Sequence, residues 1–391
     1  TTEGGKHSHL AILANTYGIP FVYGIENIDK IIKTNDTVIV DGNSGTIYVN
    51  PDEVVLHVFN AQIKDLEEEN SHLAKFKGKN ATTKDGVKIN INANIGNVEE
   101  GFLAFEDGAD GIGLFRSEFL FMEKADMSEE SQFAAYKQVL ETAKEKTVTI
   151  RTLDCGGDKI IKSPDIIQES EKNPLLGWRA IRFTLDNTDL FKTQLRALYR
   201  ASVFGNLKIM FPLISCHEQV MSVLKLVKEV QNQLTQEKIP FDKNVPLGIM
   251  IETPAAALIA DHLAPTVSFF SIGTNDLTQY TTCVDRENAK VSHLFSEFHP
   301  AVIRLIKNTI EAGQNHNIDV SVCGELAGSI EGAILLVGMG VRTLSVSSRK
   351  INKVKEVLSR FSLQEIENIA LETLKHPDAE TVLSTIQAFI K

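Results

Sequence analysis

The sequence has little cysteine and no excess of positive charge. Only four cysteines occur among 391 residues, and none of their spacings is typical of a metal site: Cys155, Cys216, Cys283 and Cys323. This pattern indicates reduced thiols in a cytoplasmic protein rather than a disulfide-bonded scaffold. The 40 lysines and arginines are outnumbered by 51 aspartates and glutamates, which gives a formal net charge of −11. Such a charge argues against a nucleic acid or an anionic membrane as the partner.

Long apolar runs are also missing. No stretch approaches the roughly 20 apolar residues that a membrane-spanning helix needs, and the start of the chain lacks the features of a signal peptide. We therefore expect a soluble cytoplasmic protein with no membrane insertion. With 43% hydrophobic residues, the chain is long enough for one large domain and a smaller piece.

The first motif is the run Gly4–Ala14, which places His7 and His9 on a glycine turn that opens an apolar-periodic helix. Backbone N–H groups and the positive end of a helix dipole beside an imidazole favour an incoming phosphoryl group. A histidine near a helix start is more often a cap or a packing residue, so residues elsewhere decide between the two interpretations. Thr1 lies so close to this motif that we expect the chain to be a fragment of a longer protein.

The pattern along the chain predicts three parts. Residues 1–50 contain two short strands around a turn within 37–49 and are expected to be the remnant of a small α/β domain. A single apolar stripe predicts a linker helix in residues 51–80. Residues 81–391 hold eight β-rich runs that alternate with helical patterns, at 88–94, 110–115, 147–151, 207–211, 247–251, 268–272, 319–322 and 342–345.

Eight alternations over about 300 residues predict a (β/α)₈ barrel of the α/β class, in which chemistry is expected at the carboxyl ends of the strands. Polar residues follow these strands: Arg116, Arg151, Asp154, Glu252, Asn275, Asp276 and Cys323. Singly, each has an ordinary structural explanation. Arg116 can pair with Glu118, and Thr253 and Pro254 suit a helix start directly after Glu252. Their recurrence at successive strand ends indicates one pocket.

The charges of this pocket indicate its ligand. Its cationic side chains are Arg116, Arg151, Arg286 and Lys159. Guanidinium groups bind carboxylate and phosphate oxygens bidentately, so the ligand is expected to be a compact polyanion such as a phosphorylated small carboxylic acid. Glu252 and Asp276 offer hard oxygen ligands to one Mg²⁺, with Mn²⁺ as the alternative.

Six segments together are highly distinctive: Gly108–Phe119, Arg151–Lys159, Asn173–Arg179, Glu252–Ala257, Gly273–Tyr280 and Cys323–Gly328. In these segments the chain resembles the family of enzyme I of the bacterial sugar phosphotransferase system. The resemblance covers the end of the phosphohistidine domain, the linker helix and the whole barrel. It implies a phosphoenolpyruvate-protein phosphotransferase, which transfers a phosphoryl group to its own histidine and on to the histidine-containing phosphocarrier protein, with release of pyruvate.

The same resemblance implies residue roles. His9 is the phosphorylated histidine, and His7 stands where the family usually has threonine. Cys323 is the proton donor to the pyruvate enolate, and Glu252 and Asp276 hold the metal. The implied substrate-binding residues are Arg116, Arg151, Lys159, Arg179, Asn275, Asp276 and Arg286.

The resemblance also implies partner proteins, and three alternative functions remain beside it. The resemblance implies a homodimer through the barrel and a carrier-docking region that would precede Thr1, so weak carrier docking is expected. A pyruvate, phosphate dikinase or phosphoenolpyruvate synthase shares the swinging histidine but needs an upstream ATP-binding domain. A barrel that senses phosphoenolpyruvate without turnover would bind it and form no phosphohistidine. The chain can also be one segment of a larger fusion.

Overall fold

The computed structural model describes Thr1, Ala14 and residues 19–123, 128–155 and 171–391, with no side-chain description for 121–123. The chain divides into two compact units, Thr1–Lys75 and Phe76–Lys391. His7, His9 and Lys159 lie outside the described residues, so the interpretation of these three stays a prediction.

The first unit contains a short helix, a hairpin and a long helix. Their bounds are α1 Ile28–Ile31, β1 Val38–Asp41, β2 Thr46–Val49 and α2 Glu53–Ala74. The antiparallel pairing of β1 with β2 confirms the two strands predicted there. Asp41 stabilises the turn, because its carboxylate accepts hydrogen bonds from the Asn43 amide at 2.9 Å and the Ser44 hydroxyl at 2.6 Å. The side chain of Asp52 caps α2 by accepting a bond from the Val55 amide.

The second unit is a closed barrel of eight parallel strands. These are β4 Lys88–Ile95, β5 Ile112–Arg116, β6 Thr147–Arg151, β7 Asn206–Phe211, β8 Leu247–Ile251, β9 Phe269–Ile272, β10 Asp319–Val322 and β11 Thr343–Val346. Each pairs with the next in parallel, and β11 closes the circle on β4. A two-residue strand, β3 Ala81–Thr82, pairs antiparallel with the start of β4. The predicted (β/α)₈ fold is therefore confirmed.

Helices fill the connections between the strands and pack outside them. Their bounds are α3 Val98–Glu106, α4 Glu118–Glu123, α5 Glu129–Ala143, α6 Ala180–Asp186, α7 Thr188–Ala201, α8 His217–Gln236, α9 Pro254–Leu258, α10 Ala260–Leu263, α11 Thr274–Thr282, α12 Pro300–Asn315, α13 Ile330–Gly338, α14 Ile351–Ser359, α15 Leu363–Thr373 and α16 Ala379–Ile390. The described part of the chain also has six short 3₁₀ helices: Pro174–Leu176, Ser202–Phe204, Ala264–Thr266, Ser292–Leu294, Glu325–Gly328 and Ser348–Lys350. Within the described residues, no helix is both long and apolar enough to cross a membrane.

A small apolar cluster, separate from the main core, lies under the ends of the strands. Its members are Leu114, Met210, Met250, Phe269 and Cys323. Since side chains alternate along a strand, Leu114 shares its face of β5 with Arg116. The cluster therefore forms an apolar floor below the charged residues at the carboxyl end of the barrel.

Gly338, the last residue of α13, allows that helix to approach α15. A Cβ atom on Gly338 would lie only 2.3 Å from the carbonyl oxygen of Ile366. Because backbone atoms cannot swing aside, we expect Gly338→Ala to lower the free energy of unfolding by about 1–3 kcal/mol. Denaturant titration measures the change.

Gly101→Ala in α3 is the matched control. Its new Cβ atom would meet only the end of the Ile95 side chain, at 3.3 Å. Alanine also favours helix, so this variant should be neutral or slightly stabilised. Equal stability of the Gly338→Ala and Gly101→Ala variants would contradict the close helix contact.

Candidate active site

The carboxyl ends of the strands bring the predicted residues together. Arg116 and Arg151 end β5 and β6 and are partners in the parallel ladder. Glu252 directly follows β8, and Cys323 directly follows β10. The Cys323 amide donates a hydrogen bond to the carbonyl of Ile272, the last residue of β9. Residues at the carboxyl ends of β5, β6, β8, β9 and β10 thus contribute to one end of the barrel.

Charged side chains of alternating sign form a continuous row at this end. In order, they are Glu118, Arg151, Asp154, Arg179, Asp276 and Arg286. The Nη2 atom of Arg151 contacts the Glu118 carboxylate and lies 3.0 Å from Asp154 Oδ2. The Nη2 atom of Arg179 lies 3.0 Å from Asp154 Oδ1 and 3.4 Å from Asp276 Oδ2. The row ends at Arg286, whose Nη1 is 3.6 Å from Asp276 Oδ1.

The two central arginines are buried but stay charged. Burial alone would lower the pKa of Arg151, yet the charges of Glu118 and Asp154 outweigh it and raise that pKa. Burial likewise opposes the charge of Arg179, and Asp154 with Asp276 raises its pKa. A buried guanidinium is tolerated only where acids compensate it, so Asp154 between the two arginines is essential to the row.

Glu252 is a buried carboxyl group beside this row. Its Oε1 accepts a hydrogen bond of 2.6 Å from the Leu213 amide. Burial raises the pKa of Glu252 to about 8, and the charge of Asp276 adds to this effect, while Arg151 opposes it. The protein without a cation therefore holds a proton on Glu252 near neutral pH.

Cys323 is buried in the apolar floor. Its Sγ lies 3.6 Å from the carbonyl oxygen of Ile272 and packs in the same cluster as Met210 and Met250. Burial raises the pKa of the thiol, although the positive charge of Arg151 works in the other direction. The thiol consequently keeps its proton at neutral pH.

Arg116 and Asn275 have unused hydrogen-bonding groups. Within the described residues, no side chain or backbone group bonds or pairs with the guanidinium group of the half-buried Arg116. Glu118, which the sequence offers as its partner, contacts Arg151 instead. Asn275 Oδ1 accepts a hydrogen bond from the Glu325 amide at 2.7 Å, which leaves its NH₂ group without a described partner.

Supporting residues of this site escaped the sequence analysis. Gln194, in the middle of α7, accepts a bond from the Leu153 amide at 2.9 Å and donates to the Ser117 hydroxyl at 3.1 Å. It thereby fixes the segments that follow β5 and β6. Nothing in a single helical glutamine signals this role. Asp154 did carry a signal, since it lies three residues after Arg151 and beyond a strand end.

Glu252 and Asp276 fit a divalent cation by the chemistry of their oxygens. A Cβ atom on Gly273 would lie 3.0 Å from Glu252 Oε2, so the glycine leaves room beside that oxygen. No group of three or more His, Cys, Asp or Glu side chains in the described part of the chain is placed to hold a metal. With two carboxylates, most positions of an octahedral ion would remain for water and substrate oxygens.

Two family models match this chain. The family described as "PEP-utilising enzyme, PEP-binding domain" matches residues 70–363, and "PEP-utilising enzyme, mobile domain" matches residues 1–45. The chain belongs to the PEP-utilising enzyme family. The first match spans the barrel strands and every described residue of the charged row, and the second includes the His7 and His9 positions.

Curated relatives in this family share the name phosphoenolpyruvate-protein phosphotransferase. Those of Buchnera aphidicola subsp. Acyrthosiphon pisum, Haemophilus influenzae and Borreliella burgdorferi are 42%, 40% and 41% identical to this chain. Each alignment covers 100% of this chain and 68% of the relative. Among solved structures, an aldolase/citrate lyase family protein from Burkholderia cenocepacia aligns with 14% identity and a TM-score of 0.42, over 78% of this chain and 99% of that one.

The raised pKa of Glu252 predicts how stability depends on pH in this family member. Folded protein keeps the proton up to about pH 8, whereas the unfolded chain releases it near the ordinary value of 4.5. Between these limits the folded state binds more protons, so the free energy of unfolding should fall as the pH rises. Glu252→Gln should remove most of this slope. Urea titrations at several pH values, with divalent cations chelated, measure it.

Proposed function

We propose that this chain is a phosphoenolpyruvate-protein phosphotransferase that transfers the phosphoryl group of phosphoenolpyruvate to His9 and releases pyruvate. The name shared by the curated relatives supports the reaction. The observation that carries the proposal is the placement of Arg116, Arg151 and Glu252 at one end of the barrel, above the apolar floor that contains Cys323. Groups for anion binding, cation binding and proton donation therefore adjoin one another.

Arginines supply the anion-binding part of the site. Arg116 is free of described partners, and the buried Nε of Arg151 has no hydrogen bond within the described residues. Both can donate to the carboxylate or phosphate of phosphoenolpyruvate through charge-assisted hydrogen bonds. Arg286, whose side chain is 37% exposed, and Arg179 complete the positive end of the pocket. Lys159 and the NH₂ group of Asn275 are further proposed contacts to the phosphate.

Glu252 and Asp276 would hold the divalent cation, Mg²⁺ with Mn²⁺ as the alternative. When bound, such an ion neutralises charge on the transferring phosphoryl group. Glu252 must release its proton to act as a ligand, so cation binding near neutral pH is coupled to proton release. The Asp276 carboxylate already lies 3.4 Å from Arg179 and 3.6 Å from Arg286, so these two arginines hold it at the same end of the barrel as Glu252.

The chemistry then consists of two balanced steps. A neutral ring nitrogen of His9 attacks phosphorus, the bond from phosphorus to the enol oxygen breaks, and its electron pair forms the enolate of pyruvate. Cys323 Sγ–H gives its proton to the methylene carbon of that enolate. The remaining thiolate is stabilised by the charges of Arg151 and Arg116, which lower the pKa of this thiol against the effect of burial.

The wider organisation belongs to the same proposal. Residues 1–50 would be the end of the phosphohistidine domain, 51–80 the linker helix and 81–391 the phosphoenolpyruvate-binding barrel. The match of the mobile domain to residues 1–45 and the bounds of α2 support this division. The phosphoryl group would pass on to the histidine-containing phosphocarrier protein in the cytoplasm, and the barrel would form a homodimer.

Phosphoryl transfer from radiolabelled phosphoenolpyruvate with Mg²⁺ tests the reaction. We expect acid-labile label on the wild type and on His7→Ala, and none on His9→Ala, because only His9 is the acceptor. Cys323→Ala should release pyruvate much more slowly than the wild type. Binding of phosphoenolpyruvate without label in the wild type would instead favour a barrel that senses the ligand.

A second test separates anion binding from stability. Arg116→Gln should weaken phosphoenolpyruvate binding by about 10- to 100-fold, as expected for a lost hydrogen bond between charged groups, and leave the melting temperature unchanged. Arg151→Gln should weaken binding and also destabilise the fold by about 3 kcal/mol, since it leaves buried acids uncompensated. Calorimetric titration and thermal denaturation measure the two effects. Equal destabilisation by both variants would contradict the different pairing of these arginines.

A further inference from the structure

Glu297 joins two loops that carry proposed site residues. It lies between the 3₁₀ helix Ser292–Leu294 and α12. Its Oε1 accepts a hydrogen bond from the Thr274 hydroxyl and another, of 3.2 Å, from the Leu326 amide. Thr274 begins α11, the helix that carries Asp276. Leu326 belongs to the 3₁₀ helix that directly follows Cys323 and Gly324.

The same two loops also contact each other directly. Gly324 packs so closely on Thr274 that a Cβ atom would lie 1.9 Å from Thr274 Oγ1. One residue farther along each loop, Asn275 Oδ1 accepts a hydrogen bond of 2.7 Å from the Glu325 amide. The junction therefore has three bonds and one tight contact, and Glu297 provides the acceptor for two of the bonds.

Glu297 is largely removed from water, so its carboxyl group depends on hydrogen bonds from the protein. Burial raises the pKa of this carboxyl group, while the bonds from Thr274 and Leu326 oppose the shift. Glu325 adds a repulsive charge and Lys350 an attractive one. A carboxylate removed from water is stable only if donors replace the water, so Glu297 and the two loops stabilise each other.

We propose that Glu297 is a positioning residue: its carboxylate fixes the start of α11, the helix that carries Asp276, against the loop that carries Cys323. Phosphorus and the methylene carbon lie at different places on phosphoenolpyruvate, so the cation-binding and proton-donating groups need a fixed separation. The catalytic consequence rests on the proposed function. The connection between the loops does not, because it is a property of the folded chain.

Residue-resolved amide hydrogen exchange tests this role without any substrate. Three neighbouring amides have three different acceptors: Cys323 bonds to Ile272, Glu325 to Asn275 and Leu326 to Glu297. In Glu297→Ala, exchange at Leu326 should rise because its acceptor is gone. Exchange at Glu325 should also rise, by about tenfold or more, because the loops separate. Exchange at Cys323 should stay slow, since its bond belongs to the sheet.

Two further variants and a control make the test decisive. Glu297→Gln keeps an oxygen acceptor and should retain the protection of the Glu325 amide. Thr274→Val removes one hydrogen-bond donor to Glu297 and should lose part of that protection. The control is Glu311→Ala in α12, an exposed glutamate paired with Lys307, and it should change none of these amides. Unchanged exchange at Glu325 in Glu297→Ala, or equal loss in Glu297→Gln, would overturn the proposal.

Kinetics then connect the loops to the reaction. In the labelling assay, Glu297→Ala should lower kcat by about tenfold or more with a smaller effect on KM for phosphoenolpyruvate, because Arg116 and Arg151 end strands β5 and β6, away from this junction. Glu297→Gln, which should retain the protection of the Glu325 amide, should also retain most of the wild-type kcat. An increase in KM with unchanged kcat would overturn the positioning role. If the wild type shows no turnover, the proposed function fails, and the exchange result still decides whether Glu297 connects the loops.

Discussion

The site depends on the compensation of buried arginines by buried acids. Three guanidinium groups alternate with three carboxylates in the row from Glu118 to Arg286, so the row itself carries no net charge. Glu252 beside it would add one negative charge, and its raised pKa shows that the folded protein keeps a proton there instead. In the proposed function, a divalent cation would replace that proton, and Arg116, which has no partner among the described residues, would bind the anionic substrate. The proposed cation and anion sites thus follow from one balance of charge.

The sequence predicted the barrel well because each strand is a short buried run between clear breaks. All eight strands were placed within two residues of their bounds, and the closed parallel order follows from the alternation of strands and helices. The residue Glu252 shows why single motifs are ambiguous. Thr253 caps α9 and Pro254 occupies its first turn, as the structural explanation requires, and the preceding carboxyl group is nevertheless buried beside Asp276. The segment Glu252–Pro254 therefore both starts α9 and places a carboxyl group in the candidate site.

Contacts between distant parts of the chain could not be predicted from the sequence. Gln194 reaches Leu153 across 41 residues, and Glu297 reaches Thr274 across 23. Neither side chain belongs to a periodic pattern, and the sequence alone does not show which distant residues each one contacts. Arg116 and Glu118 illustrate the opposite error. They are two residues apart in the sequence, but Arg116 ends β5 and Glu118 begins α4, and Glu118 contacts Arg151 instead.

Cys323 shows that packing and chemistry can require the same environment. A buried thiol is small and uncharged, so it fits between Met210 and Met250 at no cost in desolvated charge. Burial also keeps the thiol protonated, which an acid catalyst needs. The cost arises only after proton transfer, when a thiolate remains in the apolar floor, and the nearby charges of Arg151 and Arg116 lower that cost. In the proposed function, the arginines that would bind the substrate would therefore also make the proposed proton donor effective, because their charges favour its thiolate.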